Sequence, residues 1–257
     1  MTANSRVDVD QIETQNLGES LSTSPISFWI LLVTSLCGSL ALATFVIYSQ
    51  WFDEKCLPPN ELACEGAQLQ KSDLSSTLMN GAHFSGANLR DASLVHTQLE
   101  GADFSDAILD GTDFDYANLT GSQFAHADLA FADFYAASMN NANLSHAILS
   151  DTYFGLADLG RANMSNVVGV RTIFDFANLR GANLRGAILS GAWLRGADLT
   201  GADLTGADLS DANLDAANLT DAKISNARFS GAYLKNTTMP NGMVHQWPAP
   251  RPPGFTP

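Results

Sequence analysis

Large apolar side chains recur at every fifth position of this chain from Leu69 to Met239, with a single gap at Gly169. Alanine stands two places before most of them, as in the run Ala197-Asp198-Leu199. A period of five fits neither the 3.6-residue period of a helix face nor the two-residue alternation of a strand. The pattern therefore predicts a solenoid that turns a corner every five residues and buries the same two positions each time.

The repeat resembles that of the pentapeptide-repeat family, whose motif reads Ala-(Asp/Asn)-Leu-x-x. It is clearest in the run Ala202-Asp203-Leu204 and is expected to extend over residues 67–240. The resemblance implies an all-β fold, a right-handed quadrilateral parallel β-helix. Each pentapeptide would form one side, and twenty residues would form one coil.

Residues twenty apart should lie above one another in such a coil, and this spacing sorts the core phenylalanines into two opposite columns. One column holds Phe84, Phe104 and Phe124; the other holds Phe114, Phe134, Phe154 and Phe174. We expect the rings to stack along the middle of the solenoid. At Gly169 we expect a gap in the core that Val167 partly fills, with a local bulge as the alternative.

Residues 26–48 contain no charged side chain and would span roughly 34 Å as a helix, enough to cross a bilayer core of about 30 Å. We therefore predict one transmembrane α-helix at 26–50, before the β-helix. A signal peptide cleaved after Ala43 is the alternative. It is disfavoured because residues 1–25 are acidic and lack a basic segment.

The remaining segments have no five-residue period. Residues 1–25 and the proline-rich residues 241–257 are expected to be disordered tails, and residues 51–66 to form a linker and N-terminal cap. Cys56 and Cys64 could form a disulfide in an oxidising compartment, which would place the repeats outside the cytoplasm. The few basic residues beside the apolar segment favour the opposite orientation, so the sequence leaves the orientation open.

Charge and motif content exclude several functions. A formal net charge of −14 argues against direct nucleic-acid binding, which uses lysine and arginine at the phosphates. We find no nucleophile–base pair, phosphate loop or paired catalytic carboxylates, and so expect no enzyme activity and no cofactor. His126 and His146 share one outward column with Asp106, but Asp106 and His146 would lie two coils, about 9.6 Å, apart, and so we expect no metal.

One side of the predicted solenoid carries apolar and aromatic side chains at outward positions. Contiguous exposed apolar surface often marks an interaction site, and tyrosine and tryptophan are favoured anchors there. The alternative is that outward β-helix positions simply tolerate such residues. The candidate interface residues are Tyr135, Tyr153, Leu156, Ile173, Phe176 and Trp193, with Val95, Ile108, Tyr116, Ile148, Val168 and Ile188 around them.

These features together predict a non-catalytic, membrane-anchored scaffold for protein–protein interaction, whose partner is another protein or a second copy of the chain. The family's abundance in cyanobacteria implies a plasma-membrane or thylakoid location. The alternative is an acidic mimic of nucleic acid, as the resemblance to family members that occupy the DNA site of gyrase implies. Eleven acidic and no basic residues between Asp91 and Gly160 would suit that role, whereas the five arginines from Arg161 to Arg195 would not.

Overall fold

The computed structural model describes residues 63–245, which belong to one compact unit, Trp51–Pro257. Each pentapeptide repeats the same unit: a small inward residue, an outward extended residue, a large inward core residue and two turn residues. The outward residues pair in parallel with those twenty positions later, without interruption from Ala63 opposite His83 to Asn218 opposite Thr238. About nine coils stacked ~4.8 Å apart form a four-sided β-helix roughly 40 Å long.

Backbone hydrogen bonds join each coil to the next on every side. The Leu109 N–H donates to the carbonyl of Asp128 at 2.7 Å, and the Asp128 N–H donates back to the carbonyl of Ala107 at 3.0 Å. Each corner is closed by a bond within the coil, such as Ala107 N–H to the Phe104 carbonyl at 3.1 Å. Because neighbouring coils satisfy these groups, unpaired strand edges are confined to the ends of the solenoid.

The two inward positions are buried in nearly all repeats, as the sequence predicts, and are partly exposed only near the two ends, as at Ile224 and Ala232. Phenylalanine rings stack with centroids 4.7–5.1 Å apart within a column. Rings of opposite columns meet edge to face at 5.6–5.9 Å. The columns are the predicted ones: Phe84, Phe104 and Phe124 opposite Phe114, Phe134, Phe154 and Phe174.

At Gly169 the space where a side chain would begin is occupied by other core residues, and the role expected of Val167 stays a prediction. A methyl group built on Gly169 would lie 2.5 Å from Oγ1 of Thr172 and 3.0 Å from a methyl carbon of Leu189. The Thr172 hydroxyl is held there because it donates to the Leu149 carbonyl at 2.7 Å. Strand pairing continues on both sides of Val168, so there is no bulge either.

The C-terminal end of the β-helix is closed by a short hairpin. Strand β1 (Thr237–Thr238) pairs antiparallel with strand β2 (Val244–His245), with Thr237 opposite His245. Ordered structure therefore extends five residues beyond the boundary at 240 that the repeat suggested. On two other sides the last strand residues are Lys223 and Arg228, charged side chains of the kind that discourage pairing at an exposed edge.

Several sequence predictions concern residues on either side of the described range. The polar tail 1–25, the transmembrane helix at 26–50 and most of the linker 51–66 lie outside it. Between residues 63 and 245 no helix has the length and apolar character needed to cross a membrane. Cys64 is buried and disulfide-bonded, and since no other cysteine lies between 63 and 245, its partner is outside the described residues.

Candidate functional site

The six candidate interface residues lie on one side of the β-helix. We call this side, built over the core column from Phe114 to Phe174, the aromatic face. Tyr153, Ile173 and Trp193 occupy one outward column and pair in successive coils. Leu156 and Phe176 follow at the corner that ends this side, one coil apart, and Tyr135 stands just inside that corner. The structure thus brings together the residues that the sequence selected.

The lower part of the aromatic face is a chain of rings. His96 stacks on Tyr116 with centroids 5.0 Å apart, and Tyr116 meets the edge of Tyr135 at 5.5 Å. Tyr135 in turn lies nearly parallel to Tyr153 at 6.1 Å. The Tyr153 ring covers Gly155, where a methyl group would overlap it. These contacts hold the tyrosines in fixed positions, which lowers the entropy that a partner's contact with them would cost.

The upper part of the aromatic face is more open to solvent. Trp193 and Phe176 are 51% and 54% exposed. The Arg195 guanidinium lies 5.1 Å from the centre of the Phe176 ring, within the range of a cation–π contact. The Phe176 ring also leans over Gly196, whose missing side chain leaves room for it. The upper part therefore presents broad apolar surfaces that nothing in residues 63–245 covers fully.

Four large apolar side chains occupy corner positions where the backbone is left-handed. Tyr116, Phe131, Leu156 and Phe176 have φ of 57° to 58°. Glycine fills many equivalent corners, because a side chain there costs of order 1–2 kcal/mol. Within residues 63–245, large apolar side chains at left-handed corners occur only in the two corner columns bordering the aromatic face. The bulky residues are thus concentrated where the outward columns are also apolar.

Phe131 was missed by the sequence analysis, although it is 66% exposed. It stands at the corner that begins the aromatic face, between that face and the neighbouring side. The sequence does contain an indication of its importance, because glycine, aspartate or asparagine often fills this position of the repeat and here it is a phenylalanine. On the neighbouring side Ile148, Val168 and Ile188 pair in successive coils and are about 40% exposed, so the apolar surface continues around this corner.

Three carboxyl groups lie among the tyrosines. Oδ1 of Asp115 and Oδ1 of Asp133 both accept from the Tyr135 N–H, at 3.1 and 3.0 Å. Burial, a hydrogen bond with Asp133 and the negative charges of Asp133 and Asp113 raise the pKa of Asp115 to about 7. Burial and then the charge of Asp133 also raise the pKa of the Tyr153 hydroxyl. Near neutral pH, Asp115 can therefore carry a proton beside the rings.

Other charged and metal-binding candidates do not form a site. The rings of His126 and His146 stack at 5.0 Å. No group of three or more His, Cys, Asp or Glu within residues 63–245 is placed to hold a metal ion. Arginines of the cluster between 161 and 195 pair with carboxylates in adjacent coils, as in Arg180–Asp198 at 2.9 Å and Arg195–Asp175 at 3.2 Å. The cluster is thus largely neutralised and is not a free basic patch.

Comparison with known proteins confirms the family. Eight copies of the pentapeptide repeat are recognised, within residues 67–106, 107–145, 137–168, 170–201 and 197–236. These segments, which omit only Gly169 between 67 and 236, cover well over half of the chain. The chain belongs to the pentapeptide-repeat family, whose fold is a right-handed β-helical solenoid.

Solved structures similar to this chain include two pentapeptide repeat proteins from cyanobacteria. HetL, a pentapeptide repeat protein involved in heterocyst differentiation regulation in the cyanobacterium Nostoc sp. strain PCC 7120, is 30% identical; the match covers 79% of this chain and 98% of HetL, with a TM-score of 0.28. Rfr23 from the cyanobacterium Cyanothece 51142 is 37% identical over 38% of this chain and 63% of Rfr23, with a TM-score of 0.25. QnrB1, a plasmid-mediated fluoroquinolone resistance protein, is 16% identical over 64% of this chain and 94% of QnrB1, with a TM-score of 0.43. No curated protein matches the chain.

Proposed function

We propose that this protein is a non-catalytic scaffold that binds a protein partner through the aromatic face and is anchored in a membrane by residues 26–48. The observation that carries the proposal is the set of large apolar side chains at left-handed corners on both borders of this face. These side chains combine an unfavourable backbone conformation with exposure to water. The favourable free energy of binding a partner at this face would offset both costs.

The composition of the face supports a protein partner. Tyrosine and tryptophan are enriched at the centres of protein interfaces, because they offer large, stiff surfaces with a polar group. Rings held by neighbouring rings, as Tyr135 is held between Tyr116 and Tyr153, lose little freedom on binding. A folded partner, either another protein or a second copy of this chain, would cover such a surface best.

A membrane anchor would strengthen a contact of this kind. Confinement to one surface raises the effective concentration of partners held in the same membrane. The disulfide at Cys64 supports an orientation in which the β-helix faces an oxidising space, such as a periplasm or a lumen. This orientation and the plasma or thylakoid location are parts of the proposal.

The test is co-purification of proteins with the full chain from detergent-solubilised membranes of its native organism. One variant combines Tyr153→Ser, Ile173→Ser and Trp193→Ser. The matched control combines Asn143→Ser, Asn163→Ser and Asn183→Ser, three outward positions of successive coils on the opposite side. We expect the wild type and the control to retain the same partner in stoichiometric amount and the aromatic-face variant to lose it. Equal recovery with all three chains would refute the proposal.

A further inference from the structure

The hairpin that ends the β-helix points toward a corner that borders the aromatic face. Strand β2 runs antiparallel to β1 and ends with His245 opposite Thr237. At its last residue β2 therefore points in the direction of Asn236, which precedes Thr237 in the sequence. Asn236 is the last corner residue of the column that contains Leu156 and Phe176. The chain thus leaves the described structure above the corner that borders the aromatic face.

The segment that follows has an unusual composition. Residues 247–253 read Trp-Pro-Ala-Pro-Arg-Pro-Pro. Such a sequence favours the polyproline II conformation, whose rise of about 3.1 Å per residue gives seven residues a length of roughly 22 Å. This length matches between four and five coil spacings of ~4.8 Å. A segment of this length, starting at the hairpin, can reach the coil of Phe176, three coils below Asn236.

The surface along this path has the side chains that bind proline-rich peptides. Such peptides dock in aromatic-lined grooves, because their preformed helix loses little entropy on binding. Tyr233, Trp193 and Phe176 lie along the path and are between 43% and 54% exposed. The aromatic rings would contact the proline rings, and the Trp247 side chain would add apolar contact area of its own.

A carboxylate on the same path can pair with the arginine of the segment. Asp215 lies in the column that also holds Asp175 and Arg195, one coil above Arg195. Its Oδ1 accepts a 3.3 Å hydrogen bond from Asn236, and it takes part in none of the ion pairs formed within residues 63–245. Arg251, six residues after His245, can reach Asp215, about two coil spacings or ~10 Å below the hairpin.

We propose that residues 247–253 bind back, within the same chain, along the upper part of the aromatic face between Tyr233 and Phe176, and cover it until a protein partner displaces them. The proposal deepens the proposed function and rests on it, since it takes the aromatic face as a binding surface. It names the first occupant of that surface, an extended proline-rich segment with one arginine.

Photo-cross-linking of the full chain tests this proposal. The photoreactive residue p-benzoylphenylalanine replaces Phe255, an aromatic residue just beyond the segment. After irradiation at low protein concentration, single-chain and double-chain products are separated and mapped by mass spectrometry. We expect single-chain products that join residue 255 to the aromatic face between Tyr135 and Trp193. Cross-links only to the other three sides of the β-helix, or only between two chains, would overturn the proposal.

A companion variant separates specific binding from simple proximity. Pro248, Pro250, Pro252 and Pro253 are replaced by serine, which keeps the length of the segment and removes its preference for polyproline II. We expect the yield of cross-links to the aromatic face to fall about five-fold or more, because only the tether would then hold the segment near the face. An unchanged yield would overturn the proposal. If cross-linking fails while co-purification still requires Tyr153, Ile173 and Trp193, only the present inference fails.

Discussion

At the residue scale, Tyr116, Phe131, Leu156 and Phe176 each carry two unfavourable features. Their φ angles are ones that glycine adopts freely, and about half or more of each side chain faces water. Polar residues at other corners, such as Asn141 and Asn166, tolerate this conformation better. Large apolar residues at such corners are therefore the strongest single indication of function on this surface.

The carboxyl group of Asp115 gives a pH-dependent prediction. Its pKa is raised from 3.8 to about 7, mainly by burial and by Asp133, so between these values the folded state binds more protons than the unfolded state. The contribution of this group to stability therefore falls as the pH rises from about 4 to about 7. The substitution Asp115→Asn removes the charge and keeps an oxygen that can accept from Tyr135.

We expect the Asp115→Asn chain to be more stable than the wild type at about pH 8, with a difference that narrows toward about pH 4. Urea unfolding of both chains at several pH values measures this, with Asp106→Asn, a corner aspartate remote from the tyrosines, as the control. A constant offset between the Asp115→Asn chain and the wild type over the whole range would contradict the account of this site.

At the element scale, the repeating coil explains why much of the fold is readable from the sequence. A period of five forces residues twenty apart into one column, so the stacks of Phe84 to Phe124 and Phe114 to Phe174 follow from position alone. The same arithmetic brings Tyr153, Ile173 and Trp193 together. Long-range contacts of this kind are ordinarily hidden in a sequence, and here the repeat makes them regular.

Features that break the repeat could not be derived in this way. The hairpin of β1 and β2 is antiparallel and closes after the last coil, where the period no longer constrains the chain. The space at Gly169 is filled by Thr172 through a hydrogen bond to Leu149, a choice of side-chain orientation that position in the repeat does not determine. Phe131 was overlooked because its importance depends on the backbone conformation at its corner.

Gly169 gives a prediction in which the repeat pattern and the structure disagree. The pattern favours leucine at this core position, so Gly169→Leu would stabilise a regular coil. In the structure even a methyl group would meet the Thr172 hydroxyl at 2.5 Å. We expect Gly169→Leu to lower the free energy of unfolding by about 1–3 kcal/mol, as overpacking does. The double variant with Thr172→Ala should recover part of the loss, and a more stable single variant would refute the packing described here.

At the scale of the whole molecule, charge is distributed unevenly along the β-helix. Four of the five arginines from Arg161 to Arg195 pair with carboxylates one coil away. Most of the eleven acidic residues between Asp91 and Gly160, in contrast, have no cationic partner within residues 63–245. Unpaired acidic residues of this kind are the feature that favours the hypothesis of nucleic-acid mimicry. It accounts less well than a protein interface for apolar residues at strained corners, since a mimic of phosphates has no need of them.

The most direct test of the central claim is the stability of the full chain carrying Phe131→Gly and Leu156→Gly. Suppose that these side chains serve binding and not folding. Replacing them with glycine then relieves the left-handed strain, which stabilises the fold by about 1–2 kcal/mol per residue. This gain should offset two losses, namely the partial burial of the side chains and the greater conformational freedom that glycine gives the unfolded chain. We predict a free energy of unfolding within about 1 kcal/mol of the wild type, while the control Phe134→Ala, at a fully buried core position, loses ~3–5 kcal/mol. A loss of about 3 kcal/mol or more in the double variant would contradict the claim, because the corner residues would then be needed for the fold itself.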